Sequence, residues 1–185
     1  MILDRRSALL IAPVGIAAAA GLGVWAALNH FTRVGFDPGG VPTALNGKHI
    51  PPFELPGIID GGFKSTDLAD AGVPVLVVFW ASWSPPCVTQ QALLLDLRKQ
   101  GVAIWGVAYK DTKINAAAFL QKRGNPFVRS ARDDPGRAGV DWGINDVPES
   151  FVVDREGIVR WHMPGPLSHA IATQQLLPAL QRLTS

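Results

Sequence analysis

A buried strand that runs into a thiol-bearing helix constrains this chain more than any other feature. Residues 75–81 form a continuous apolar run of the kind a central parallel strand requires. Residues 88–100 place Leu93, Leu94 and Leu97 on one face of a helix. The connection between them reads Trp80-Ala81-Ser82-Trp83-Ser84-Pro85-Pro86-Cys87. At the first turn of a helix, free N–H groups and the helix dipole favour an anion. Cys-x-x-Cys proteins use that place to lower the pKa of an attacking sulfur. Here serine stands at the first of the two cysteine positions. Without a positioned base its hydroxyl stays protonated at neutral pH, and it forms no S–S bond, so the chain carries half of a dithiol. Ser84 is a favoured helix N-cap residue, and Pro85 fits the first helical position. The expectation is that the Ser84 hydroxyl caps the helix.

The flanking sequence predicts a mixed sheet. Phe53-Glu54-Leu55 is a short edge strand stopped by Pro56-Gly57, Gly101 closes the helix over 88–100, and residues 102–108 are a second buried strand. Thr112 caps a helix over Lys113–Arg123 that Gly124 ends. Another extended piece starts at Phe127-Val128, and residues 134–142 hold a short helix. Residues 150–154 and 158–162 form a hairpin across Arg155-Glu156-Gly157, and Ser168 caps a last helix ending near Leu183. The order β-α-β-α-β-β-α predicts an α/β, thioredoxin-like fold, a mixed sheet flanked by helices.

The N-terminus carries a different signal. Residues 8–28 are uncharged, largely apolar and of bilayer-spanning length, and Arg5 and Arg6 precede them. By the positive-inside rule this is a single transmembrane helix, with residues 1–7 cytoplasmic and the rest exported. A cleaved signal peptide is the alternative, although the run exceeds the usual apolar region of one. Residues 29–43, rich in Gly and Pro, read as a linker, leaving 44–185 for the globular domain. The 17 Lys and Arg are scattered through a chain of net charge +2, so nothing marks a nucleic-acid partner. One cysteine excludes an intramolecular disulfide. His30, His49, His162 and His169 lack metal-ligand spacing and read as surface residues, and no cofactor is called for.

Six segments in order carry a resemblance: Leu45-Asn46-Gly47-Lys48 with Phe53-Glu54-Leu55-Pro56; residues 78–87; Gly106-Val107-Ala108-Tyr109-Lys110-Asp111; Gly124-Asn125-Pro126-Phe127; residues 143–151; and residues 154–158. Together with the single anchor they make the chain similar to the DsbE/CcmG family, membrane-anchored thioredoxin-like proteins of cytochrome c biogenesis. The resemblance implies an inner-membrane protein with its domain in the periplasm. That domain would reduce the cysteines of apocytochrome c or of haem-ligation partners and be re-reduced by a membrane electron donor. It puts Ser84 at the nucleophile position and makes Cys87 the resolving thiol. Glu149 becomes a carboxylate that exchanges the thiol's proton. Trp83, Pro85, Pro86, Val147, Pro148 and Asp111 become substrate contacts, with a cis Val147–Pro148 bond. For Asp111 and Glu149 the plain alternative is a surface acid. The departure at Ser84 predicts impaired or absent turnover, and the competing function is a non-catalytic module that binds cysteine-containing peptides. A one-cysteine peroxidase also fits Ser84-x-x-Cys87, but Trp80 stands where such a motif requires proline.

Overall fold

The computed structural model describes residues 44–184, and its architecture follows the apolar runs. Glu54–Leu55 (β1) and Phe63–Lys64 (β2) pair as a small antiparallel ladder, followed by the short helix Ser65–Ala69 (α1). Val75–Trp80 (β3) is buried at every position and forms the centre of a five-stranded sheet. On one side it pairs in parallel with Ile104–Tyr109 (β4), which pairs in parallel with Arg129–Asp133 (β5). On the other it pairs antiparallel with Glu149–Val153 (β6), which pairs antiparallel with Val159–Pro164 (β7). The connecting helices are Pro85–Lys99 (α2), Lys113–Arg123 (α3) and Arg137–Trp142 (α4). The last helix, α5, runs through His169–Ile171, a wider π turn at Ala172–Leu176, and Leu177–Thr184. The expected thioredoxin-like layout is present.

Alternation along β3 divides the core into two aromatic groups. Phe79 lies 5.2 Å from Trp142 of α4, and Phe151 lies 5.0 Å from the same indole. Phe53 and Phe63 extend this group to Trp105. Trp80 faces the other way, 5.1 Å from Phe119 of α3 and stacked on Phe127 at 5.5 Å. Gly106 makes that stack possible, because a Cβ there would lie 2.8 Å from the Phe127 ring.

Three local expectations hold in detail. Thr112 Oγ1 accepts from Asn115 N–H at the start of α3, Ser168 Oγ accepts from Ile171 N–H at the start of α5, and Gly124 ends α3 at φ 90°. The fifth strand begins at Arg129, two residues beyond the expected Phe127-Val128, because Phe127 is used as a plug on the sheet. α2 buries two glutamines as well as its leucines: Gln90 Oε1 accepts from Leu167 N–H, and Gln91 donates to the Gly124 carbonyl.

One segment reaches both edges of the sheet. Gly47 N–H donates to the Val159 carbonyl and Val159 N–H donates to the Lys48 carbonyl at the β7 edge. Farther along, Arg132 N–H donates to the Pro56 carbonyl and Ile58 N–H donates to the Ser130 carbonyl at the β5 edge. The expected membrane segment at 8–28 and the linker at 29–43 lie outside the described residues. Among the described residues no helix is long and apolar enough to cross a membrane.

Candidate active site at the start of α2

Ser84 takes the N-cap position of α2 by its backbone, with φ −90° and ψ 115°, but its hydroxyl does not cap the helix. This corrects the expectation, and the cause lies in the next three residues. Pro85 and Pro86 fill the first two helical positions and have no N–H to offer. The Cys87 N–H at the third donates to the Ser84 carbonyl. The hydroxyl is therefore free to turn across the fold, and it donates to the Val147 carbonyl at 2.9 Å. Both residues are buried. The Val147–Pro148 bond is cis.

Cys87 lies one turn farther along the helix, 2% exposed, with its sulfur accepting from Ala81 N–H at 3.5 Å. Burial pushes its pKa up, and the negative charges of Asp146 and Asp111 add to that. Hydrogen bonds available from Ser84 and from Ala81 N–H act in the opposite direction without offsetting it. A raised pKa is the reverse of what a peroxidatic thiol needs, which removes support from the one-cysteine peroxidase. Ser84 is no better placed as a nucleophile for hydrolysis, since its proton rests on an amide carbonyl and not on a base.

Carboxylates hold the surroundings. Asp111 is buried, not a surface acid, and accepts from Ser82 N–H at 2.6 Å and Thr112 N–H at 2.8 Å. It thus fixes the first half of the turn to the end of β4. Glu149 is also buried: Oε1 accepts from Asn145 N–H at 3.0 Å, and Oε2 lies 2.7 Å from His162 Nε2. His162 is therefore no scattered surface histidine, because its ring stacks on Phe151 at 4.4 Å and pairs with the acid. A cavity of about 570 Å³ opens beside these groups, lined by Pro86, Trp142, Asp146, Val147, Pro148 and Glu149 among others. Trp83 does not line it. That indole is 55% exposed and donates to the Lys110 carbonyl on the far side of the turn. Pro85 is exposed and also stands outside the cavity, as does Asp111. Among the described residues no three His, Cys, Asp or Glu side chains converge as a metal site.

Residues 45–176 match the Redoxin family. The chain is 34% identical over 178 residues to the thiol:disulfide interchange protein DsbE of Pseudomonas aeruginosa, covering 96% of each. It is 39% identical over 145 residues to the thiol:disulfide interchange protein HelX of Rhodobacter capsulatus, covering 78% of this chain and 82% of that one. A crystal structure assigned as DsbE of Chlorobium tepidum superposes with a TM-score of 0.59 at 29% identity, covering 73% of this chain and 97% of that one. The chain belongs to the DsbE/CcmG family of thioredoxin-like proteins.

Within the DsbE/CcmG frame, the structure brings Ser84, Cys87, Pro86, Val147, Pro148 and Glu149 to one end of the sheet. Two residues escaped sequence reasoning. Asp146 Oδ1 accepts from Val147 N–H at 2.8 Å, closing a short Asx contact ahead of the cis-proline. Its signal was an aspartate two residues before Pro148. His162 had no such local signal, because its partner Glu149 sits across a strand pair.

Proposed function

We propose that this chain descends from periplasmic thiol:disulfide oxidoreductases of cytochrome c biogenesis and keeps their substrate groove without their turnover. Residues 8–28 anchor it in the inner membrane. Its partners are the thiols of apocytochrome c or of haem-ligation proteins, and a membrane electron donor serves the catalytic form. The observation that carries this reading is Ser84 at the N-terminus of α2, bonded to the residue before a cis-proline, with a single thiol one turn away.

In a dithiol form, a thiolate at position 84 attacks the substrate disulfide, forming a mixed disulfide and releasing one substrate thiol. Cys87 then attacks the position-84 sulfur, releasing the second thiol and leaving an 84–87 disulfide for the membrane donor to reduce. Two electrons pass from the protein to the substrate. Asp111 holds the turn, Glu149 exchanges the proton of Cys87, and Pro86, Val147 and Pro148, which line the cavity, contact the peptide. With serine at 84 the first attack has no sulfur, and Cys87 is too deeply buried to replace it. The chain as it stands binds cysteine-bearing peptides and does not turn them over.

Turnover of a model disulfide and the free-thiol count, measured on the full chain and on Ser84→Cys, test this. The serine form should run at background, and Ser84→Cys should raise turnover by roughly a hundredfold or more, well within what a missing nucleophile costs. Activity in the serine form that disappears in Cys87→Ala would overturn the reading, as would no gain in Ser84→Cys.

A further inference from the structure

The cavity beside the cis-proline carries charge of one sign. Asp141, Asp146 and Glu149 line it, and no Lys or Arg does. Asp141 and Asp146 are exposed, and neither forms an ion pair among the described residues. His162 lines the cavity too, with its side chain 8% exposed and no hydrogen-bond partner for Nδ1 among the described residues. A proton on that nitrogen would be a buried donor with nothing to receive it. The ring proton therefore belongs on Nε2, donated to Glu149 Oε2 at 2.7 Å, and Nδ1 is left a bare acceptor. The cavity thus presents carboxylates and an acceptor nitrogen, with no cationic side chain to match them. This is a local property, because the chain as a whole has a formal net charge of +2. The field reaches the thiol as well, since negative charge on Asp146 acts on Cys87.

We propose that the groove selects cysteine-bearing peptides that carry lysine or arginine near the cysteine, with Asp141 and Asp146 as its specificity-determining residues. This rests on the reading that the groove takes such peptides, and it adds their charge. An ammonium or guanidinium group at the mouth meets two unpaired carboxylates, whereas an acidic side chain is repelled by both. Each exposed pair contributes modestly, so the two together set a preference of about tenfold. Glu149 and His162 deepen the negative, donor-poor character of the cavity and make no contact that depends on the peptide's sequence.

Three reduced seven-residue peptides test this. Each has a central cysteine and carries Lys, Gln or Glu at the two positions next but one to it, which share its face in an extended strand. They are titrated calorimetrically into the full chain in uncharged detergent, at about 20 mM and about 500 mM salt. At low salt the lysine peptide should bind about tenfold more tightly than the glutamate peptide, with glutamine between them. High salt should reduce that ratio to about twofold or less. Asp141→Asn combined with Asp146→Asn should lower the low-salt ratio by about threefold or more. Asn at 146 keeps an oxygen for Val147 N–H, and both positions are exposed, so the fold is not at stake. Asp96→Asn removes one charge at the far end of α2, away from the cavity, and should leave the ratio unchanged. Equal binding of the three peptides, a ratio that survives loss of both carboxylates, or an equal fall in Asp96→Asn overturns the proposal and leaves the groove reading standing. Binding of none of the peptides overturns both. Failure of the oxidoreductase reading shows separately, as a Ser84→Cys chain that performs no exchange.

Discussion

Replacing sulfur by oxygen at position 84 changes a reactive group into a structural one, and the neighbouring residues decide which structural role it takes. Two prolines and a backbone-bonded cysteine N–H leave the hydroxyl nothing to cap, so it reaches a carbonyl 63 positions away in sequence. The remaining thiol responds to pH in a defined direction. Because burial raises its folded pKa above the ordinary 9.0, the fold favours the protonated form. That contribution is complete below the unfolded pKa and is lost as pH climbs from there through the folded value. Urea unfolding between pH 7 and 10 should therefore show a steeper alkaline loss of stability for the original chain than for Cys87→Ala. Glu149 gives a second prediction at this scale. Glu149→Gln keeps an oxygen for Asn145 N–H, so in a Ser84→Cys background it should shift the pH profile of disulfide exchange with little change in thermal stability. A collapse in Tm with an unmoved profile would make Glu149 purely structural. Positions 84 and 87 were legible in the sequence because motif spacing marks them, and position 148 because the family resemblance does. The direction of the Ser84 hydroxyl and the pairing of Glu149 with His162 were not, since both are set by contacts between elements distant in sequence.

Among the elements, those with local stop and start signals were the ones the sequence defined well. α3 has Thr112 before it and Gly124 after it, and both do what their chemistry predicts. β5 lacked such a signal. Arg129-Ser130-Ala131-Arg132-Asp133 has no apolar alternation, and its strand state depends on distant partners: Arg129 pairs with Asp67, donates to the Gly62 carbonyl and lies over Trp105. The π turn in α5 was equally invisible to a 3.6-residue period. The β6–β7 turn offers the test at this scale. Asp154 is buried and accepts from the N–H groups of Glu156 and Ile158, both at 2.9 Å, and from Arg160. Burial alone would raise its pKa, but the Ile158 N–H, Arg160 and the Glu156 N–H outweigh it and hold the carboxyl below its ordinary 3.8. Its stabilisation is thus fully present above pH 3.8 and lost as pH falls through the folded value. Asp154→Asn should cost about 1–3 kcal/mol at neutral pH, as expected for hydrogen bonds to a charged group, and should flatten the acid limb of the stability profile. Denaturant melts at pH 2–7 measure both effects.

The whole molecule combines a domain that its strand pattern and motif order made readable with an N-terminal run whose role is tested in membranes. Washed membranes should retain the full chain through alkaline carbonate extraction, and protease should reach the domain only from the periplasmic side. Release of a chain starting after Ala27 would mean a cleaved signal instead. Within the domain, the segment that binds both β7 and β5 has a further consequence. A five-stranded open sheet has two rows of outward-facing backbone groups, each a template on which another chain can add a strand. Residues 47 and 48 satisfy part of one row, and residues 56 and 58 part of the other. A single stretch of backbone thus guards both borders against aggregation. A proteolytic cut that frees it would uncover the two borders together, leaving each open to strand addition by another chain.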